Sequence, residues 1–167
     1  AMSVRASQKL DRIADQDLLL ADPLPDTIPV IPPLPETRQE VTDISALFGA
    51  DPKKSLYLGE RASRTNALTQ DLSGYRVVAF ATHGLIPGDV PGLSQPALAM
   101  STRDPSGYLL TSQDILGMKL DAEWVILSAC NSGAGEGAGA DALTGLGRSF
   151  FYAGSKSIYV TQWPVES

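Results

Sequence analysis

The positions of apolar residues along the chain predict strands and helices in alternation. Short, almost continuous apolar runs are typical of buried strands. They occur at 17–23, 55–59, 75–82, 123–129 and 157–163. Two more apolar stretches, 97–101 and 107–110, flank a short turn and predict a β-hairpin. Apolar strands of this kind, alternating with helices, indicate an α/β fold whose mostly parallel sheet has helices on both faces.

Capping residues and helical spacing predict the helices between these strands. Thr37 with Glu40 matches a capping box, which opens a helix over 38–48 that ends at Gly49. Six prolines make 22–36 an extended surface connection. The other expected helical segments are 4–14, 63–72 closed by Gly74, a turn capped by Thr111 and Asp114, and a helix through Leu143, Leu146 and Phe150 up to Gly154.

Composition narrows the class of protein. The 167 residues suffice for a single domain with a core, which we take to span 1–167. A net charge of -6 argues against a nucleic-acid surface. One cysteine cannot form an internal disulfide, so the chain fits a reducing compartment. Apolar runs stay well short of the roughly 18 residues of a membrane span. We therefore expect a cytoplasmic protein that contacts neither membrane nor nucleic acid.

Two of the predicted strands lead to reactive side chains that the chain uses once each. His83 follows the strand 75–82, and Cys130 follows the strand 123–129. Sites in parallel sheets form beyond the carboxyl ends of the strands, so both residues are expected at one rim. An imidazole or a helix N-terminus activates a thiol as a nucleophile, and a helix is expected to begin near Asp141. The backbone N–H groups of Gly84 and Cys130 are candidate oxyanion donors.

Other interpretations of the same residues remain open. Cys130 is also compatible with a small buried apolar residue, and His83 with a residue of the turn after its strand. A metal site is poorly supported, since one histidine and one cysteine leave a zinc ion short of ligands. "GEGAGA" at 135–140 fits a dinucleotide-binding pattern, but Glu136 and Asp141 would repel a pyrophosphate there. We therefore expect no cofactor.

Several motifs in order resemble one known family. They are "LPETRQEV", "FATHG", "LTSQDI", "VILSACNSG" and "GLGRSFFYAGSKSIYVTQWPV". Together they resemble the CHAT domain, a branch of the caspase-like and separase-like cysteine peptidases, from about Leu34 to the C-terminus. The spacing of 130 − 83 = 47 residues is close to the ~50 residues between histidine and cysteine in caspases.

The resemblance implies a fold and a set of roles. The fold would be a caspase-like three-layer α/β sandwich, and the activity would be cleavage of peptide bonds by a Cys/His dyad. Cys130 would be the nucleophile and His83 the general base and acid. Gly84 and Cys130 would form the oxyanion hole, and Ser128 would line the pocket for the residue before the cut. Family members often sit beside helical repeats or other regulatory modules, which implies a regulatory partner.

The resemblance also raises an alternative function. Family members usually continue past "VTQWPV" into a further helix and strand, so we expect a fragment of a larger protein that lacks this piece. A non-catalytic interaction module with a peptidase fold is the alternative to an active peptidase.

Substrate preference rests on two carboxylates. Asp22, at the end of the first predicted strand, and Asp141 would attract a basic substrate side chain if they face the pocket. The alternative is that Asp22 is a turn residue before proline and that Asp141 caps its helix.

Overall fold

A computed structural model describes residues 31, 34, 36–101, 107–130 and 138–161, without the side chains of 129–130, 138–143 and 161. The chain divides into two compact units, one formed by residues up to 67 with 100–108, the other by 68–99 with 109–167. The predicted helix at 4–14 and strand at 17–23 lie outside the described residues, as does nearly all of the proline-rich connection.

Helices make up the regular structure of the described part of the first unit. They are α1 (Glu36–Leu47), α2 (Pro52–Ser55), a 3-10 turn (Gly59–Arg61) and α3 (Arg64–Thr69), whose last two residues belong to the second unit. The helix predicted over 63–72 is confirmed but is shorter, since it ends at Thr69 rather than near Gly74. The Ser63 hydroxyl accepts a hydrogen bond from the Asn66 N–H at 3.1 Å at its start.

Helix α1 ends where its sequence predicts and starts differently. Gly49 has a φ of 64°, its N–H donates to Ala46, and the Ala50 N–H donates to Ser45, which together close the helix as a Schellman motif. The predicted capping box is wrong, because the helix already begins at Glu36. The Thr37 hydroxyl does not cap it but donates to the Leu34 carbonyl at 2.7 Å.

The strand predicted over 55–59 is wrong. Ser55 ends helix α2, and a 3-10 turn begins at Gly59. The start of α2 explains the difference, because the Asp51 side chain accepts a hydrogen bond from the Lys53 N–H at 3.0 Å and Pro52 follows it. An acidic N-cap followed by proline is a strong helix start, and the helical turn that it begins replaces the extended backbone that a strand requires.

The second unit contains a mixed α/β arrangement around a sheet. Its five described strands lie in the order β3-β2-β1-β4-β5. They are β1 (Val77–Leu85), β2 (Ala97–Ala99), β3 (Leu109–Thr111), β4 (Trp124–Cys130) and β5 (Ile158–Thr161). The pairs β1–β4 and β4–β5 are parallel, whereas β2 is antiparallel to both β1 and β3. Four of the five described strands therefore point in the same direction and only β2 is reversed, so the sheet is mostly parallel, as predicted. The hairpin of β2 and β3 is confirmed.

Two helices complete this unit. Helix α4 (Ser112–Leu116) starts with the predicted cap at Thr111 and Asp114, and the structure shows it to be a capping box: Thr111 Oγ1 accepts from the Asp114 N–H at 3.2 Å and Asp114 accepts from the Thr111 N–H at 3.0 Å. Helix α5 (Ala138–Tyr152) packs Phe150, which is fully buried, against Phe80 of β1 with ring centroids 5.4 Å apart. A helix layer on the opposite face of the sheet stays a prediction.

The turn from α5 into β5 is closed by main-chain hydrogen bonds. The Leu120 N–H donates to Ala153 at 2.8 Å, and the Lys156 N–H donates to Ala122 at 2.9 Å. Gly154 lies between them with a φ of 111°, and a Cβ at this position would stand 2.1 Å from the Leu120 carbonyl oxygen. Only glycine fits here, which agrees with the predicted end of the helix at this residue.

Candidate active site

The parallel register of β1 and β4 sets the candidate site. The register pairs Val77 with Trp124 at one end and His83 with Cys130 at the other. Both strands run further than predicted, so His83 and Cys130 lie inside them rather than after them. Neighbouring strands are spaced about 4.8 Å apart, and the backbones of these two residues are therefore immediate neighbours.

Strand alternation assigns these positions to one face of the sheet. Successive residues of a strand alternate between faces, and residues in register on parallel neighbours share a face. Positions 83 and 130 therefore share a face, which they also share with Ser128. Phe80 lies on the other face, where it contacts α5. His83 and Ser128 thus lie on the face opposite to α5.

Two polar residues at this end of the sheet, His83 and Ser128, are buried. His83 has no exposed surface, and Ser128 keeps 6% of its surface exposed. Ser128 lies in register with Ala81 on one side and Thr161 on the other. Polar interactions are stronger in such a low-dielectric setting than in water. The His83 imidazole is therefore shielded from solvent.

Strand β1 changes its partner at the candidate site. Within the described part of β4, His83 is the last residue of β1 in register with it, and Gly84 is the first residue in register with β2, opposite Leu98. Just before this junction, the Thr82 hydroxyl donates a hydrogen bond to the carbonyl of Ala99. The sequence does not point to Thr82, because its partner lies 17 residues away and no local motif marks the contact.

The segment between β1 and β2 is packed and internally bonded. Val90 and Leu93 are buried at 2% and 7% exposure. The Ile86 N–H donates to the Asp89 carboxylate at 2.8 Å. Gln95 Oε1 accepts from the Gln113 N–H at 2.9 Å and so ties the segment to the start of α4. This Gly/Pro-rich stretch is therefore held in place between β1 and the start of α4.

The remaining predicted site residues are not all brought to this end by the described structure. Asp141 lies in the first turn of α5, three residues after Ala138, so it does not cap that helix and the helix starts earlier than predicted. Asp22 lies outside the described residues, as do 131–137 of the glycine-rich segment. The structure brings together His83, Gly84, Ser128 and Cys130.

Two further searches of the described residues bear on the class of protein. In that part of the chain, no group of three or more His, Cys, Asp or Glu residues is arranged to hold a metal ion. Nor does any helix there have the length and apolar character to cross a membrane.

Comparison with known proteins identifies the family. No curated protein and no solved structure matches the chain. The family model of the CHAT domain matches residues 1–167. This match agrees with the motifs around His83 and Cys130 and with the mixed α/β arrangement whose sheet contains the two residues. The chain therefore belongs to the CHAT domain family.

Proposed function

We propose that this protein is a caspase-like cysteine endopeptidase of the CHAT family that cleaves protein or peptide substrates with a dyad of Cys130 and His83. The observation that carries the proposal is the register of β1 and β4, which pairs these two residues at the carboxyl ends of neighbouring parallel strands. Sites in parallel sheets lie at this end of the strands. The fold that goes with this function is a three-layer sandwich.

The proposed reaction begins with proton transfer inside the dyad. The His83 imidazole takes the thiol proton of Cys130, and the thiolate attacks the substrate carbonyl carbon to form a C–S bond. The carbonyl oxygen becomes an oxyanion, for which the N–H groups of Gly84 and Cys130 are the proposed donors. Helix α5 supports the thiolate, since its connection between parallel strands starts it at this edge of the sheet.

The second half of the reaction returns the enzyme to its starting state. The His83 imidazolium gives its proton to the leaving amine as the C–N bond breaks, which leaves an acyl group on Cys130. A water molecule then attacks the acyl carbon and passes a proton to His83. The C–S bond breaks, the product leaves as a carboxylic acid, and the proton returns to the sulfur. No cofactor is needed for any of these steps.

Substrate preference is assigned to three residues. Ser128 lies two residues before Cys130 on the same face of the sheet, and we assign it to the pocket for the residue before the cut. Asp141, in the first turn of α5, and Asp22 are assigned to attraction of a basic side chain. The complete burial of His83 supports control by a partner protein or an adjacent repeat domain that opens the site. The single cysteine supports a cytoplasmic location.

Peptide electrophiles with a basic or an acidic residue next to the reactive group test this function. We expect covalent labelling of Cys130, faster with the basic probe, and cleavage of peptides selected by the same preference. Cys130→Ala is expected to abolish both. Equal cleavage by the wild-type protein and Cys130→Ala would refute the peptidase, and faster labelling by the acidic probe would refute the assignment of the carboxylates.

A non-catalytic interaction module is the second candidate, favoured by the burial of His83. A histidine without exposed surface is compatible with a scaffold that binds a partner and cleaves nothing. In that case, Cys130→Ala leaves partner binding and the cellular phenotype unchanged, whereas loss of partner binding abolishes the phenotype. A phenotype that disappears in Cys130→Ala while partner binding persists would exclude this function.

A further inference from the structure

Strand β1 pairs first with β4 and then with β2, and a side-chain hydrogen bond joins β1 to β2 where the partner changes. The antiparallel ladder of β1 and β2 consists of the pairs Gly84–Leu98 and Leu85–Ala97. One more step of this register would set Ala99 opposite His83. At that step, a side chain provides the link between the strands, since the Thr82 hydroxyl donates to the Ala99 carbonyl. The hydroxyl thus extends the attachment of β2 beyond the ladder, next to the candidate catalytic histidine.

Thr82 is well suited to hold the backbone of His83 in place. It precedes His83 in β1, and alternation puts it on the opposite face of the strand, so its side chain does not compete for the site. Its χ1 is restricted by β-branching, so the hydrogen bond to Ala99 costs little side-chain entropy. The bond is partly buried, where hydrogen bonds are stronger than in water.

Catalytic dyads are sensitive to small shifts of the groups that form them. Side chains must be held within about 0.5 Å of the productive geometry, and a misplacement of about 1 Å lowers the rate about 100-fold. We infer that Thr82 is a positioning residue for His83, through the hydrogen bond of its hydroxyl to the Ala99 carbonyl. This inference rests on the proposed function, because it presumes that His83 activates Cys130.

Iodoacetamide labelling of Cys130 tests the inference without a known substrate. Cys130 is the only cysteine of the chain, so the labelling rate reports one thiol. Thr82→Val keeps the shape of the side chain and removes the donor. We expect its labelling rate at pH 7 to fall about threefold to tenfold, less than complete loss of the imidazole would cause. Thr82→Ser keeps the hydroxyl, and its rate is expected to stay within about twofold of the wild type.

Thr42→Val is the matched control. Thr42 is half-buried in α1, in the other unit, and its hydroxyl also donates to a main-chain carbonyl, that of Arg38, at 2.7 Å in a solvent-exposed hydrogen bond. The chemical change and the type of hydrogen bond lost are therefore the same, and no change in labelling is expected. Thermal unfolding of each variant gives the folded fraction. If Thr82→Val does not fold, Thr82→Ala is compared with Thr82→Ser in the same way.

The outcomes separate the inference from the proposed function. Normal labelling of Thr82→Val beside slow labelling of His83→Ala overturns the positioning role and leaves the dyad intact. Equal slowing of Thr82→Val and Thr82→Ser also overturns it, because the hydroxyl then has no part in the effect. Normal labelling of His83→Ala overturns the dyad itself. Slow labelling of Thr82→Val with rescue by Thr82→Ser supports the inference.

Discussion

The two ends of the β1–β4 strand pair carry residue pairs with the same sequence spacing, one of them an exposed ion pair and the other containing a buried histidine. At the amino end, Arg76 and Glu123 form an ion pair with an N–O distance of 2.8 Å, 47 residues apart in sequence. At the carboxyl end, His83 and Cys130 are also 130 − 83 = 47 residues apart and lie in register. A continuous parallel register keeps this offset constant along both strands, so it produces both pairs.

Solvent exposure separates the two ends. The side chains of Arg76 and Glu123 are 81% and 44% exposed, whereas His83 has no exposed surface. Exposed ion pairs contribute little to stability, because water and salt screen their attraction. Polar groups in a buried site interact more strongly and respond to small displacements. The same register therefore forms a weak surface contact at one end and sets a buried histidine beside the backbone of Cys130 at the other.

The largest expected effect comes from removing one residue of the pair at each end of the two strands and comparing the losses of activity. His83→Ala is expected to lower kcat/KM for a cleaved peptide by about 10²- to 10⁴-fold, since general acid–base catalysis is worth that much. Arg76→Ala, the corresponding change at the amino end, is expected to leave kcat/KM within about twofold. Both rates are measured on protein shown to be folded by circular dichroism. Similar losses in the two variants would contradict the functional difference between the ends.

A substitution in the turn before β5 is expected to lower stability without changing the reactivity of Cys130. Gly154→Ala places a Cβ 2.1 Å from the Leu120 carbonyl oxygen at a φ of 111°. We expect the free energy of unfolding to fall by about 3 kcal/mol, from backbone strain and displacement of the Leu120 segment. The labelling rate of Cys130 in the folded fraction is expected to stay unchanged. Urea denaturation gives the stability.

Gly74→Ala is the matched control for this turn. A Cβ at Gly74 would meet no heavy atom within 4 Å among the described residues, and this glycine lacks a positive φ, so alanine fits there with little change in stability. Equal urea midpoints for the two alanine variants would show that the α5–β5 turn tolerates a side chain and would remove its assigned structural role.

Apolar runs and capping residues allowed most of the second unit to be predicted from sequence. The strands β1, β4 and β5, the hairpin and the cap at Thr111 and Asp114 depend on local signals and are confirmed. The strand expected at 55–59 is wrong because the helix start at Asp51 and Pro52 outweighed its apolar residues. Local signals compete there, and a capped helix turn needs fewer partners than an added strand.

The pairing of His83 with Cys130 could not be predicted from the sequence and is given by the structure. Sequence places His83 and Cys130 near strand ends but does not set the register between the strands. A slip by one residue would pair His83 with Ala129 and move the cysteine to the other face. Thr82 was missed for a related reason, since its partner Ala99 is distant in sequence and is reached through the geometry of β2.

Breaking the ion pair of Arg76 and Glu123 at the amino end is expected to have the smallest effect, a slight change in stability. The hydrogen bond from Arg76, followed by its charge, holds the pKa of Glu123 below its ordinary value, and the Arg76 pKa is raised in return. A lowered carboxyl pKa contributes stability above the ordinary titration range, and this contribution is lost as the pH falls through the pKa of the folded state. Glu123→Gln is therefore expected to lower the melting temperature slightly at pH 7 and to converge with the wild type in acid. Added salt should narrow the same gap, because the pair is exposed. A double-mutant cycle with Arg76→Gln isolates the pairwise contribution. A coupling that persists in high salt would mean that the amino end is less solvent-screened than its exposure indicates, and one that persists in acid would mean that the coupling does not depend on the Glu123 charge.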